Sequence, residues 1–510
     1  PCPLILVPRG GAPGLHAEIP CYSTAFPRVA TAKPHFQPIP VGIAGRIGTM
    51  RTESLNSLES GQHWHADLVI VGAGPTGLTL ARALARPGRS VLVIESGGLA
   101  DAGGAAELDR VVRPEGALDP ATRAFRKRYH QGLARDWNAE AQPYGLRLRG
   151  LGGASRAWAG KAAPFGPMDF ARRDWVPESG WPLDPDALAG PIASATQTLA
   201  LGPWKQGKAG WTLLDGSDDR PELAEGPLES CFWQIARRPE APAEPYRFGD
   251  AFREDPPEHV RVLTDATVTR VLTDPEARAV TGVSVAGAGE KRLTVAARTV
   301  VLAASAIENP RLLLSSDDVM AEGLGNARGL VGRYLVDHPV AVVARFGSEA
   351  TDRLAAPFGA FTRSAGGATH VYLHGLQFSA AHQRAERRLN GALYLTEERL
   401  PDDPVAALGR LVRRVSEDPS RDLAFVLKSP VRMVRSLGIR LVESGRLPAA
   451  VSRAAVSIAL RADPNQVVSE ARFGAASRHV GMRVEAITEQ PPDPENRITL
   501  ARERDALGQR

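Results

Sequence analysis

Gly72, Gly74 and Gly77 stand in the spacing G-x-G-x-x-G, and Glu95 follows eighteen residues after the last of them. The chemistry this pattern serves is the holding of phosphate and ribose. The first glycine permits a tight turn, the second lets main chain approach a pyrophosphate, and the third lets helix and strand pack closely. A carboxylate at Glu95 is placed to accept from ribose hydroxyls and would repel a 2′-phosphate, which argues against NADP. Proton-transfer candidates are fewer. His479 lies in an alternating stretch and reads as a strand position, and His338 in "VDHPV" reads as structural. His370 and His374 are four apart with no third ligand near, so no metal site is expected. "GASRA" around Ser155 misses the G-x-S-x-G elbow of a hydrolase by its last glycine.

The flanking elements give the glycines their meaning. Ala66–Val71 is an apolar, β-branched run that leads into Gly72–Gly77. Leu78, Leu80, Ala81, Leu84 and Ala85 recur at helical spacing, and Pro87-Gly88 stops that helix. "SVLVIE" is a second strand ending at Glu95. Strand, glycine turn, helix, strand and acid make a dinucleotide-binding unit, with the helix N-terminus facing the phosphates. The fingerprint leaves FAD and NAD open. The loop Leu148–Phe170, with adjacent glycines and a Trp-Ala-Gly step, suits main chain lying against a flat ring. Ala297–Ser316 reads as a buried strand running through small residues into a helix.

Five segments in this order resemble the glucose–methanol–choline (GMC) oxidoreductases, an FAD enzyme family. They are "DLVIVGAGPTGLTLARAL", "LGGASRAWAGKAAPFGPMDFARRDWVPESGWPL", "TVVLAASAIENPRLLL", "GLGNARGLVGRYLVDHP" and "ENRITLARERDALG", spanning roughly residues 66–508. The resemblance implies that Gly72, Gly74, Pro75, Thr76 and Gly77 cradle the FAD pyrophosphate, and that Glu95 and Ser96 hold the adenosine ribose. It implies that Gly152, Gly153, Ser155, Ala159 and Gly160 line the flavin. Val268 would meet the adenine end, with Ala303, Ala304 and Ser305 closing that side; Ser305 stands where the family often has glycine.

The fold class that follows is α/β, a Rossmann-like FAD-binding domain with an α+β substrate domain built on an antiparallel sheet. Residues 1–65 read as a leader without order, since residues 1–49 hold nine prolines and no steady periodicity. The FAD domain is expected in two parts, 66–165 and 256–345, around a Pro- and Trp-rich cap or substrate region at 166–255. Seven of the eight tryptophans fall between 137 and 233, where ordinary packing is the simpler account than a substrate mouth. Residues 260–287 read as two paired strands turning at Asp274-Pro275. Residues 346–510 form the substrate domain, with a helical insertion at 402–460. Its exposed faces are basic (Arg410, Arg413, Arg414, Lys428, Arg432, Arg435, Arg440), which allows a membrane surface or an electron acceptor as partner, a solvated face being the simpler account.

Composition narrows the partners. Hydrophobic residues make up 43% and charged residues 23%, as in globular proteins. No apolar run reaches the roughly 18 residues of a membrane helix. Three cysteines and no C-x-x-C or H-E-x-x-H exclude a disulfide scaffold and the common zinc motifs. The net charge of +5 is too weak for a nucleic-acid binder. With no secretory signal recognisable, a cytoplasmic location is expected.

The function expected is oxidation of a CH–OH group of an alcohol, polyol or sugar by hydride transfer to flavin N5. The acceptor, whether oxygen, quinone or carrier protein, is left open. In the resembling family the base is a histidine in a segment after the "RITL" strand, so no catalytic residue is assigned and truncation at the C-terminus is expected. The alternatives are an inactive flavin-binding fragment and a monooxygenase using NAD(P)H, for which no second G-x-G-x-x-G is present.

Overall fold

A computed structural model describes residues 51–99, 147–204, 226–238, 244–347, 358–401, 404–430, 447–462 and 477–510, with Leu6–Pro8, Ala106–Asp109 and a few short pieces between. Along the chain the strands are β1 (Leu6–Pro8), β2 (Arg51–Ser54), β3 (Gln62–Val71), β4 (Val91–Ile94), β5 (Lys161–Ala162), β6 (Leu228–Ile235), β7 (Val260–Thr264) and β8 (Thr267–Thr273). They continue as β9 (Val280–Ala286), β10 (Arg292–Leu302), β11 (Val340–Gly347), β12 (Ala360–Ala365), β13 (Ala368–Phe378), β14 (Gly391–Pro401) and β15 (Ser477–Thr488). The helices used below are α1 (Pro75–Leu84), α2 (Phe248–Glu254), α3 (Ser305–Ser315), α4 (Pro404–Val412), α5 (Pro419–Lys428) and α6 (Ala449–Ala462).

Two sheets result. The first runs β2-β7-β4-β3-β10-β9-β8, parallel from β2 to β10 and antiparallel through the β9–β8 hairpin, with β1 antiparallel to β10. Its central strands are covered on both faces, which is why they read as unbroken apolar runs. Leu68 and Ile70 pack with Leu78 and Ala81 of α1 and Phe252 of α2. The alternate residues Val69 and Val71 pack with Val283, Val285 and, from α3, Leu312 and Leu313. The second sheet, β11-β15-β14-β13-β6-β5 with β12 beside β13, is antiparallel throughout, and α6 packs on it through Val456 and Leu460. The architecture is thus a Rossmann-like α/β unit joined to an antiparallel one.

Three expectations change. Residues 51–65 are ordered, as β2 and the start of β3; they read as polar because β2 is an outer strand and the first half of β3 exposes alternate residues. Leu55, fully buried, ties this stretch to the core. The rest of the expected leader, apart from β1, lies outside the described residues. The run at 260–273 is two strands, broken where Asp265 adopts φ 53°, a left-handed conformation that Asp tolerates. The Pro- and Trp-rich stretch contributes β6 to the second sheet, between β13 and β5. The "RITL" segment forms no strand: it meets residues 332–335 through Leu335 N–H to Asn496 O at 2.8 Å and Ile498 N–H to Gly332 O at 2.9 Å, without a ladder.

Candidate functional site

The carboxyl ends of β3, β4 and β10 open onto a cavity of about 320 Å³. Of the sequence-derived residues it is lined by Gly72, Gly74, Pro75, Thr76, Glu95, Ser96, Gly153, Val268, Ala303, Ala304 and Ser305. A crevice at strand carboxyl ends is where open α/β sheets take ligands.

The glycines divide the work. Gly72 has φ 102°, and a Cβ there would lie 2.7 Å from the Ala303 carbonyl oxygen, so it permits the close approach of β3 to the end of β10. Gly77, outside the lining, would bring a Cβ to 2.0 Å from the Gly72 carbonyl, which makes it the helix-to-turn contact. Gly74 differs, since a Cβ there meets nothing within 4 Å. It caps α1 at the cavity edge, and Pro75 at the first helical position leaves the N–H groups of Thr76 and Gly77 without intrahelical acceptors. An open main-chain cradle, free N–H groups and the positive end of a helix suit a pyrophosphate.

Glu95 does more than the motif implies. Its carboxylate accepts from Ala73 N–H at 2.8 Å, Gly97 N–H at 2.9 Å and Gly150 N–H at 2.8 Å. One buried side chain thereby binds the glycine turn, the end of β4 and the loop after residue 147. Burial pushes this carboxyl up against the pull of the three N–H groups and of Arg149. The fourth lone-pair direction is the one left for a ribose hydroxyl. Ser96 Oγ sits 2.5 Å from Thr267 Oγ1 on β8 and accepts from Arg149 at 3.0 Å.

A charged wall escaped the sequence reading. Arg149 also donates to Asp109 at 2.9 Å and to Glu308 at 3.3 Å, and Arg147 pairs with Glu308. Arg311 donates to Glu308 at 2.8 Å. All five line the cavity. Burial opposes ionisation of Glu308, but Arg149, Arg311 and Arg147 outweigh it and hold the carboxyl down to about 2. A signal existed: Arg147 and Arg149 alternate just before the glycine loop, and Glu308 and Arg311 are spaced i, i+3 on α3.

Gly152, Ser155, Ala159 and Gly160 do not line this cavity. Gly152 (φ 97°) packs against Gly249 at the start of α2, and Gly153 against Gly74. Ser155 Oγ donates to the Gly152 carbonyl at 2.6 Å. Gly160 packs on Ala236, whose N–H donates to the Gly160 carbonyl at 2.7 Å, and β5 then pairs with β6. The loop thus runs from the cavity rim to the second sheet. Ser305 has φ 87°, the conformation that favours glycine, and its Oγ accepts from Ile307 N–H at 3.4 Å.

Among the described residues the histidines stay apart from the cavity lining. His374 is buried between Phe232 and Phe358 with its Nε2 3.0 Å from Ser230 Oγ, His338 is exposed, and His479 belongs to β15. Trp158 and Trp175 donate to main-chain carbonyls and Trp233 packs on Tyr394; Trp137 and Trp211 lie outside the described residues. Among the described residues no group of three His, Cys, Asp or Glu could hold a metal ion, and no helix is long and apolar enough to cross a membrane.

Known proteins with similar sequences bear on this site. A family profile described as GMC oxidoreductase matches residues 251–340, and one described as NAD(P)-binding Rossmann-like domain matches residues 70–139. Uncharacterised GMC-type oxidoreductases of Mycobacterium bovis and Mycobacterium tuberculosis are 27% identical over 326 residues, 54% of this chain and 56% of theirs. The fructose dehydrogenase large subunit of Gluconobacter japonicus is 36% identical over 80 residues, 16% of this chain and 14% of that protein. Formate oxidase aligns in structure with 15% identity over 85% of this chain and 74% of that one, at a TM-score of 0.38. The chain spans about half the length of the curated relatives it matches over several hundred residues.

Proposed function

We propose that the chain is an FAD-dependent oxidoreductase of GMC type, which its similarity to that family over residues 251–340 supports, and that it oxidises a CH–OH group of a small alcohol, polyol or sugar. The observation that carries this reading is the open main-chain cradle at Gly74, set at the N-terminus of α1 where β3, β4 and β10 end. The cavity there would take the adenosine diphosphate half of FAD. Thr76 and Gly77 would donate to the pyrophosphate, Glu95 and Ser96 would hold the ribose, and Val268 with Ala303 and Ala304 would flank the adenine. Gly152, Ser155, Ala159 and Gly160 follow on the side toward the second sheet, where the ring system would lie. The chemistry FAD brings is acceptance of a hydride at its N5. The likeness to a sugar dehydrogenase subunit supports the CH–OH donor class.

The test is anaerobic titration of the yellow protein with primary alcohols, polyols and sugars, without nicotinamide. Loss of the flavin absorbance with one of them is the expected result. Steady consumption of NADPH would replace the proposal with a monooxygenase. A flavin that no alcohol bleaches, while dithionite does, would reduce the chain to a cofactor-binding unit.

A further inference from the structure

The segment from α4 to α6 carries a surface that a solvated face does not explain. Ten of the twenty large apolar side chains exposed among the described residues lie between 408 and 458. Six of them form stripes at helical spacing: Leu408 and Val412 on α4, Leu423 and Leu427 on α5, Val451 and Ile458 on α6. The framework behind them is fixed. Val456 and Leu460 seat α6 on the second sheet, and Asp422 of α5 accepts from Arg410 of α4 at 2.9 Å and from Ser416 at 2.7 Å. Isolated exposed apolar residues need no explanation, but a concentration in one segment of the chain does.

Charge identifies the occupant. Residues 404–462 hold eleven Lys and Arg against four Asp and Glu, a net of +7. With the flanking Asp402, Asp403 and Asp463 counted, the segment still carries +4 of the chain's +5. Buried Asp422 is already committed to Arg410. A second copy would bring the same positive charge to the contact and be repelled. Apolar stripes flanked by Arg413, Arg414, Arg421, Lys428 and Arg453 match a surface that is apolar below and anionic above.

We propose that α4, α5 and α6 seat the protein on an anionic lipid bilayer, lying in the headgroup layer with the apolar stripes against the acyl chains. No helix among the described residues is long enough to span, so the mode is interfacial. The inference is independent of the reaction at the cofactor site.

The experiment is sedimentation of the FAD-loaded chain with sucrose-filled vesicles of phosphatidylcholine containing about one-third phosphatidylglycerol. Most of the protein is expected to pellet, with binding lower by roughly tenfold on phosphatidylcholine alone and at high salt. Val412 and Leu427 are 74% and 72% exposed, so the double variant Val412→Asp, Leu427→Asp should keep the flavin spectrum and melting temperature. That variant should lose binding by about tenfold or more. A folded wild-type protein that stays in the supernatant with anionic vesicles overturns the proposal, as does a folded variant that pellets equally well. Self-association abolished by the variant, with no vesicle binding, would assign the face to a second copy instead.

Discussion

At the scale of single residues, the three glycines of one motif separate into different physical jobs. Gly77 lies against main chain, so Gly77→Ala must displace the turn; it is expected to cost about 1–3 kcal/mol in urea unfolding. Gly74 faces open space with φ −77°, so Gly74→Val should leave the apoprotein within about 1 kcal/mol of wild type. Its side chain would then occupy the cradle, and FAD affinity measured by fluorescence quenching should fall by on the order of tenfold or more. Equal effects of the two substitutions on both measurements would remove the distinction. Ser305 offers a converse case. A side chain held at φ 87° is strained, so Ser305→Gly should hold or gain about 0.5–1 kcal/mol, while β-branched Ser305→Val should lose about 2 kcal/mol. Chemical denaturation of the pair reads both.

At the scale of elements, α3 and the segment around 147–149 meet through charge. Glu308 is held at about 2 against its ordinary 4.5. Because its folded value is depressed, the stabilisation it supplies is complete above about 4.5 and is lost as pH falls toward about 2. The gap in unfolding free energy between wild type and Glu308→Gln should therefore be on the order of 2–3 kcal/mol at neutral pH and shrink on acidification through that window. A gap that does not narrow would mean the ion pairs contribute nothing through Glu308. The same elements show what the sequence made legible. β3, α1 and β4 were readable because buried parallel strands are continuously apolar and α1 keeps helical spacing between two punctuated ends. β2 was missed because an outer strand need not be apolar, and the break at Asp265 because periodicity is blind to one left-handed residue. β6 was hidden by its mixed burial, with Glu229 and Ser230 half-buried ahead of buried Cys231 and Phe232. Of the site, the glycines and Glu95 were legible from spacing. The arginine wall was not, because residues 109, 147, 149, 308 and 311 meet only in three dimensions.

At the scale of the whole molecule, the cavity is a junction: the turn after β3, the end of β4, the start of β8 and the first turn of α3 all border it. A ligand that fills it binds the folded chain and not the unfolded one, so it must raise stability by mass action. At a concentration a hundred times its dissociation constant the gain is about 2.7 kcal/mol. For a cooperative unit of 510 residues that corresponds to a rise of roughly 2–4 °C in melting temperature. On the proposed reading, the groups around the cavity (α1's N-terminus, Glu95, Ser96 and the apolar Val268 and Ala303) would take the adenosine diphosphate end of the cofactor. Adenosine diphosphate alone should therefore protect the apoprotein in a thermal melt, while flavin mononucleotide at the same concentration should protect little. Protection by flavin mononucleotide equal to that by adenosine diphosphate would mean that the ring system, not the nucleotide end, occupies this crevice.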